Sequence, residues 1–319
     1  MKKSSSDSPP SAKKTTIYTL PLSSEQADKL HNWVKNHDEY EFDARPYTRF
    51  FAKKKGLTIA VYEKGPKVVL QGKETEDFIR FVLEPEIVEE ATFDYEESLN
   101  PERFEAHFGI DESGKGDFFG PLVIAGAYVD STLAAALKNG GIADSKKITS
   151  DARIRELAST IRTLQVPHTV VLIGPEKYNL LIKKFRNLNH LLAWGHATVI
   201  ENMCQLVPDC PRALSDKFAN VNVLQRALKE KGKGLQLDQQ TKAESDYAVA
   251  AASILAREKF IDWMDHEAEK LGLQDPFPRG ASEKVRVTAV NLIKKHGKEI
   301  LPRVVKIHFK TTSKVLADC

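Results

Sequence analysis

Apolar positions divide most of the chain into alternating strand-like and helix-like segments. Short apolar runs bounded by polar or turn residues predict strands at 104–111, 122–129, 168–173 and 212–216. Between and beyond them, apolar residues recur at helical spacing and predict helices at 151–164, 176–185, 187–206, 221–231 and 244–271. Strands that alternate with helices are typical of α/β proteins, so the residues from about 104 onward are predicted to form one α/β domain.

The first part of the chain has a different pattern, which predicts a small α+β unit. A helix is expected to begin at Ser23, because a glutamine three residues later completes a capping box. Two short apolar runs around a Gly-Pro turn predict a hairpin over 57–71. A second helix over 74–83 is expected to end before Pro85, because proline cannot continue the helical hydrogen bonding.

Charge marks a boundary between these two parts. Residues 45–73 hold eight Lys or Arg against a single acid, whereas residues 84–102 hold eight acids and no Lys or Arg. The basic run fits either a surface that tracks phosphates or an ordinary solvated face. We predict a disordered basic tail at 1–14, an N-terminal domain at 15–84, an acidic linker at 85–103 and a second domain at 104–319.

The composition of the whole chain excludes some classes of protein. The net charge of +3 arises from 47 basic and 44 acidic residues, so the total indicates no particular partner. No run of 18 apolar residues occurs, which argues against a membrane span, and the first residues lack the apolar core of a secretory signal. The three irregularly spaced cysteines suit a reducing compartment. A cytoplasmic protein is therefore expected.

Two adjacent acids, Asp111 and Glu112, end the first strand of the second domain. Side chains of adjacent strand residues point to opposite faces, so a bound cation or a sharp turn is needed for them to act together. A solvated turn would also explain the two acids alone. The Gly114-Lys115-Gly116 loop that follows favours a functional site, because glycines let the backbone approach a phosphate and lysine supplies positive charge.

Further acids occupy positions from which they can meet this pair. Asp216 ends a later strand, and the strand ends of a parallel-type sheet form the crevice where ligands bind. Glu244 begins the long helix, where the helix dipole alone also favours an acid. Asp246 lies close enough to be an alternative fourth acid. His196, within an apolar helix, is interpreted as a packed or supporting residue rather than a general base.

Five longer motifs accompany these acids in the second domain. They are GIDESGKGDFFGPL at 109–122, DSKK at 144–147, NHLLAWGHA at 189–197, AAASILAR at 250–257 and KIHFK at 306–310. Together they resemble the type 2 ribonuclease H family, and within it ribonuclease HIII. Gly-Lys-Gly in place of Gly-Arg-Gly, an added N-terminal domain, and Glu as the fourth acid distinguish this pattern from that of ribonuclease HII.

The resemblance implies both a fold and an activity. The fold is a ribonuclease H-like domain with a mixed central sheet flanked by helices, preceded by a small α+β substrate-binding domain similar to the TATA-binding protein. The activity is endonucleolytic hydrolysis of the RNA strand of RNA/DNA hybrids by a monomer that uses Mg²⁺ or Mn²⁺. The resemblance assigns catalysis and metal binding to Asp111, Glu112, Asp216 and Glu244, and substrate contacts to Ser113, Gly114, Lys115, Gly116, Lys146 and Lys147.

Two other functions remain open from the sequence. A ribonuclease HII-like enzyme would incise at single ribonucleotides embedded in DNA. A non-catalytic nucleic-acid-binding protein would use the N-terminal domain and keep the acids for a structural ion. A substrate series and an Asp111→Asn variant separate these alternatives from hybrid cleavage.

Overall fold

The computed structural model describes residues 15–89, 100–142, 148–216, 221–228, 232, 234–240 and 243–319. The chain divides into two compact units, Met1–Leu99 and Asn100–Cys319. None of the helices within the described ranges combines the length and the apolar character that a membrane crossing requires.

The first unit is a five-stranded antiparallel sheet with helices packed against one face. Its elements are β1 (Ile17–Pro21), α1 (Ser24–Lys35), β2 (Glu41–Asp43), β3 (Thr48–Lys54), β4 (Leu57–Tyr62), β5 (Lys67–Gln71) and α2 (Thr75–Phe78). The strand order is β1-β5-β4-β3-β2. Alternate residues of β4 and β5 are buried against Leu30 and Val34 of α1. The predicted capping box is present, since Ser23 and Gln26 exchange hydrogen bonds of 3.0 and 2.8 Å.

The second helix of this unit continues past Pro85, so its predicted end is wrong. Helix α2 passes directly into a π-helical segment, Ile79–Val88, that contains the proline. Ile87 is buried, and the Glu86 carboxylate accepts a 2.7 Å hydrogen bond from the indole N–H of Trp33 on α1. This packing beyond the proline outweighs the hydrogen bond that proline cannot donate. Residues 90–99 of the predicted linker lie outside the described residues.

The second unit is built on a five-stranded mixed sheet. Its strands are β6 (His107–Ser113), β7 (Leu122–Val129), β8 (His168–Ile173), β9 (Arg212–Asp216) and β10 (Gln236–Gln240), in the order β10-β9-β6-β7-β8. Strands β6, β7 and β8 are antiparallel neighbours, whereas β9 runs parallel to both β6 and β10. The predicted α/β class with a mixed sheet is therefore confirmed. β6 begins later than predicted, because Phe104 follows a 3₁₀ turn, Pro101–Arg103.

Helices cover both faces of this sheet. They are α3 (Ser131–Asn139), α4 (Asp151–Thr163), α5 (Pro175–Phe185), α6 (Leu188–Leu206), α7 (Val221–Ala227), α8 (Tyr247–Lys270), α9 (Glu283–His296), α10 (Leu301–Val304) and α11 (Lys310–Ala317). Ile124 of β7 packs with α6, whereas its neighbours Val123 and Ala125 pack with α8. Because adjacent strand residues face opposite sides, α6 and α8 lie on opposite faces of the sheet.

The long helix α8 is shorter than its sequence pattern predicts. It begins at Tyr247 with Asp246 as its N-cap, and a separate 3₁₀ turn, Ala243–Ser245, precedes it. Glu244 therefore lies in that turn rather than in the helix. Helix α8 approaches β6 closely because Gly109 has no side chain: an added Cβ would overlap the backbone of Ala248 and Val249.

Candidate active site

Asp111 and Asp216 lie side by side near the C-terminal ends of adjacent parallel strands. Ile110 of β6 is opposite Ser215 of β9, so the next residue of each strand is an aspartate. The two carboxylates are close enough for the charge of Asp216 to raise the pKa of Asp111. Two acids about a hundred positions apart in the chain thus meet at one edge of the sheet, as their strand-end positions predict.

Asp111 and Glu112 diverge to the two faces of the sheet. The Asp111 carboxylate accepts a hydrogen bond from Ser253 on α8. The Glu112 carboxylate lies 3.0 Å from Nε2 of His196 on α6, which covers the other face. The adjacent acids therefore straddle the end of β6, and each is oriented by the helix on its own side.

Asp111 is held in an environment that disfavours its charge. Burial raises the pKa of its carboxyl to about 7, and repulsion from Glu112 adds to the shift, although the hydrogen bond from Ser253 opposes it. The charge of Asp216 acts in the same direction as burial. Asp111 is thus a partly buried acid beside two other acids, an arrangement that a divalent cation would neutralise.

For Glu112, the effects that lower the pKa of the carboxyl outweigh the effect of burial. Burial alone would raise the pKa of its carboxyl, but the hydrogen bond and charge of His196, together with Lys115, hold it below its usual value. Nζ of Lys115 lies 3.2 Å from the Glu112 carboxylate, while His196 is fully buried. The interpretation of His196 as a packed or supporting residue is therefore confirmed. Glu112 stays ionised, as a cation ligand must.

The loop after β6 combines one constrained glycine with one open position. Gly114 has a positive φ of 85°, and a Cβ there would overlap the Pro121 carbonyl and contact the Phe260 ring. Gly116 has no atom within 4 Å of its Cβ position. The Lys115 side chain between them is 41% exposed. The loop thus has a fixed first residue and a last residue whose backbone can be approached closely.

Asp246, the alternative fourth acid, has its carboxylate fully engaged in the fold. It accepts hydrogen bonds from the backbone N–H groups of Ala248 and Val249 at 2.9 and 3.1 Å, and contacts Nε2 of His107. Only 3% of the residue is exposed. Asp246 therefore caps α8 and pairs with His107. The backbone of Glu244 is placed two residues before it, but the Glu244 side chain lies outside the description, as do Lys146 and Lys147.

The donor set suits a hard divalent cation that keeps part of its water shell. Among the described side chains, no three of His, Cys, Asp or Glu are grouped so as to hold a metal ion. Mg²⁺ is usually held by one or two carboxylates plus substrate phosphates and water, and so does not need a closed protein cage. The paired strand-end aspartates with Glu112 beside them fit that mode of binding. All three side chains offer oxygen, the donor that such cations prefer.

Comparison with known proteins identifies the family. A ribonuclease HIII of Protochlamydia amoebophila is 47% identical over 270 residues, which cover 85% of this chain and 87% of that protein. A ribonuclease HIII of Chlamydia trachomatis is 44% identical over 275 residues, covering 86% and 89% of the two chains. The chain belongs to the ribonuclease HIII family. The family model described as Ribonuclease HII matches residues 108–312, and a domain of unknown function, DUF3378, matches residues 19–92.

Solved ribonuclease HIII structures share the fold. Bst-RNase HIII in complex with Mn²⁺ is 27% identical with a TM-score of 0.65, and the match covers 95% of this chain and 99% of that one. Aquifex aeolicus RNase H3 is 27% identical with a TM-score of 0.53 over 92% of this chain and all of that one. The predicted ribonuclease H-like fold is confirmed. As a ribonuclease HIII, the chain is an endoribonuclease of RNA/DNA hybrids, in a family that uses divalent metal ions.

Proposed function

We propose that the chain hydrolyses the RNA strand of RNA/DNA hybrids at the end of β6, with Mg²⁺ or Mn²⁺ held by Asp111, Glu112 and Asp216. The observation that carries this assignment is that Asp111 and Asp216 follow the paired residues Ile110 and Ser215 on adjacent strands, close enough for their charges to interact. Glu244 completes the site in this proposal, because it precedes α8 and because Asp246 is committed to capping that helix. All four acids come from the second unit, so a monomer is sufficient.

The protein's part in this reaction is to place charge and to orient ligands. Divalent ions held by these acids would supply activation of a water molecule and neutralisation of the charge on the scissile phosphate and the leaving 3′ oxygen. Ser253 and His196 orient the carboxylates of Asp111 and Glu112 from opposite faces of the sheet. Both residues are partly buried and both carboxylates are hydrogen-bonded, so their positions are set before substrate arrives.

The Gly114–Gly116 loop is proposed to hold the RNA strand beside these acids. Its exposed Lys115 supplies positive charge to a phosphate, and the open backbone at Gly116 permits close approach. Ser113 ends β6 at the start of the loop. RNA is distinguished from DNA by the 2′-hydroxyl, a group that backbone atoms of such a loop can recognise. Lys146 and Lys147 are proposed as additional phosphate contacts.

The first unit is proposed to bind the hybrid through the open face of its sheet, as the resemblance to the TATA-binding protein suggests. On β3 and β4, Phe51 and Tyr62 point away from the buried residues of their strands. Arg45 stacks over the Phe51 ring at 4.6 Å, and Lys67 lies 5.5 Å from the Tyr62 ring. Cations above aromatic rings offer both charge for phosphates and flat surfaces for stacking.

A substrate and metal series tests the proposal. Purified protein is incubated with RNA/DNA hybrid, double-stranded RNA, double-stranded DNA, and DNA containing one ribonucleotide, each with Mg²⁺, Mn²⁺ or chelator. We expect cleavage of the hybrid only, and only with a divalent ion. Efficient incision at the single ribonucleotide would instead favour the ribonuclease HII-like alternative.

The role of the acids needs a variant that keeps substrate binding. Asp111→Asn is expected to abolish hydrolysis while the protein still binds the hybrid in a mobility-shift assay. Asp209→Asn, an exposed acid in the turn before β9, serves as the control and is expected to leave cleavage unchanged. Hydrolysis by Asp111→Asn at the wild-type rate would refute the assignment of the site.

A further inference from the structure

Lys306 is a fully buried lysine in the segment that joins α10 to α11. Its ammonium nitrogen Nζ donates to three backbone carbonyls of one loop: Gly120 at 2.7 Å, Asp117 at 2.9 Å and Phe119 at 3.4 Å. A buried lysine is costly unless its head group is hydrogen-bonded. An apolar residue would fill the same space without the cost of burying an amine. What lysine adds here is its hydrogen bonds to the loop.

The backbone around Lys306 also pairs with this loop. The N–H of Lys306 donates to the Phe118 carbonyl at 2.8 Å, and the N–H of Gly120 donates to the Val304 carbonyl at 2.9 Å. Between these two bonds, Phe119 and Val305 form an antiparallel bridge. Residues 304–306 thus lie along residues 118–120 as a short strand partner.

This C-terminal segment is itself anchored from helix α5. Asn179, which is only 6% exposed, donates from its amide to the carbonyls of Val305 and Pro302 at 2.9 and 3.2 Å. Its amide oxygen accepts a 2.9 Å hydrogen bond from the N–H of Ile307. Lys306 is therefore held in place independently of the loop that it contacts.

The same loop is fixed on a second side by the segment before α9. The Asp117 carboxylate accepts a 2.6 Å hydrogen bond from the N–H of Gly280, and the N–H of Phe118 donates to the Gly280 carbonyl at 2.9 Å. Residues 117–120 are thus hydrogen-bonded on two sides, to Gly280 and to residues 304–306, both more than 150 positions later in the chain. Directly before them lie Lys115, whose side chain is 41% exposed, and Gly116, which has no atom within 4 Å of its Cβ position.

We propose that Lys306 is a positioning residue for the Gly114–Gly116 loop and therefore sets the affinity for the hybrid without touching it. This inference rests on the proposed role of that loop in substrate binding. Lys306 acts by fixing the carbonyls of residues 117–120, which form the C-terminal anchor of the loop. Burial lowers the pKa of Lys306 to about 7, yet an uncharged amine still donates two hydrogens, enough for the contacts to Gly120 and Asp117.

The test compares Lys306→Met with Lys314→Met, the same substitution at an exposed lysine on α11. Two quantities are measured: the kcat and KM of hybrid cleavage, and the rate of trypsin cleavage after Lys115 in the native protein, with the cut located by mass spectrometry. For Lys306→Met we expect KM to rise about tenfold with a much smaller change in kcat, because the acids on β6 and β9 are not displaced. Trypsin is expected to cut after Lys115 about fivefold faster, since proteolysis reports the open population of a loop.

Several outcomes decide the question. A folded Lys306→Met protein with wild-type KM and a wild-type rate of trypsin cleavage after Lys115 would overturn the inference. A fall in kcat alone would also overturn it. If Lys306→Met does not fold, Asn179→Ala loosens the same segment while leaving the lysine in place. It is expected to raise the KM and the rate of trypsin cleavage to a smaller extent. An unchanged rate of trypsin cleavage in folded Asn179→Ala would then overturn the inference.

Failure of the proposed function would give a different signature. If Lys115→Ala leaves the KM of hybrid cleavage unchanged, the loop does not bind substrate, and the proposed role of the loop fails. The rate of trypsin cleavage is measured without hybrid, so it continues to report whether Lys306 fixes the loop. The two hypotheses therefore fail in separate measurements.

Discussion

Nε2 of His107 lies 3.0 and 2.9 Å from the two carboxylate oxygens of Asp246, joining the first residue of β6 to the N-cap of α8. Nδ1 of the same ring contacts the Glu105 carbonyl at 2.7 Å. This buried pair sets where α8 begins along β6, the strand that carries Asp111 four residues later. The same contact therefore fixes both the helix and the turn that contains Glu244.

Asp246→Ala is expected to destabilise the protein by about 3 kcal/mol. Loss of a helix cap costs about 1 kcal/mol, and a buried histidine left without its partner costs about 1–3 kcal/mol more. Urea denaturation measures the effect. Asp130→Ala is the matched control, because Asp130 caps α3 through a 2.9 Å bond to the N–H of Leu133 and no histidine contact to it is present in the described structure. Equal losses in the two variants would contradict a role for His107.

Gly109→Ala is expected to prevent stable folding or to lower the free energy of unfolding by more than about 4 kcal/mol, the range of severe core changes. The added Cβ would overlap the backbone of Ala248 and Val249, which cannot rotate away as a side chain could. Thermal denaturation and soluble yield report the effect. Gly174→Ala, where no atom lies within 4 Å of the Cβ position, is expected to cost at most about 1 kcal/mol, the loss expected when alanine replaces glycine at the N-cap of α5.

The sequence predicted those elements whose apolar pattern is set by burial. Strands at 122–129, 168–173 and 212–216 are observed at the predicted residues, because their side chains pack against helices on one or both faces. Strand β10 was not predicted, since Gln236–Gln240 is a polar edge strand whose conformation comes from pairing with β9. Likewise, the helix through Pro85 depends on contacts with α1 that no local pattern encodes.

The candidate site likewise has features that the sequence predicts and features that it does not. The meeting of Asp111 and Asp216 followed from strand-end positions, which are visible in the sequence. The contacts that hold the segments around the site did not, because His107 and Asp246 are 139 positions apart, and Lys306 is 189 positions from Asp117. Contacts over such separations leave no periodic signal, although Lys306 does lie inside one of the motifs that carried the family resemblance.

Asp111→Asn is expected to stabilise the metal-free protein at pH 8 by roughly 2–4 kcal/mol. Because the pKa of Asp111 is raised to about 7 in the folded state, its contribution to stability is present below its ordinary pKa and is lost as pH rises towards 7. The difference between variant and wild type should therefore grow from pH 4 to pH 8. Denaturation with chelator at several pH values measures it, with Asp209→Asn as control. Added Mn²⁺ should stabilise the wild type more than the variant.

Lys306 is expected to make stability rise with pH between about 7 and 10.5. Its pKa is lowered to about 7 in the folded state, so in this window the unfolded chain binds more protons than the folded one. Three ionisable groups lie near Lys306. The charge of Asp117 opposes the shift, and the pKa of His308 is lowered by burial and by Lys306. The Tyr178 ring lies 5.6 Å from Nζ, and burial raises the pKa of its hydroxyl above the window. Free energies of unfolding at pH 7.5 and 9.5 should differ by about 2 kcal/mol more in wild type than in Lys306→Met. Parallel profiles for the two proteins would contradict this expectation.

The two glycines of the loop after β6 are expected to respond differently to the same substitution. Gly114→Ala places a Cβ against the Pro121 carbonyl at a positive φ of 85°, so it should lower the melting temperature and reduce cleavage through loss of structure. Gly116→Ala meets no atom within 4 Å and should leave the melting temperature unchanged.

Gly116→Ala should nevertheless raise the KM for the hybrid several-fold, because its methyl group would occupy the space through which a phosphate approaches the backbone. Paired measurements of melting temperature and hybrid KM for both variants separate the structural glycine from the substrate-facing one. A wild-type KM for Gly116→Ala would show that the hybrid does not come close to the loop at this residue. In that case Lys115, which reaches further into solvent, would be the part of the loop that contacts RNA.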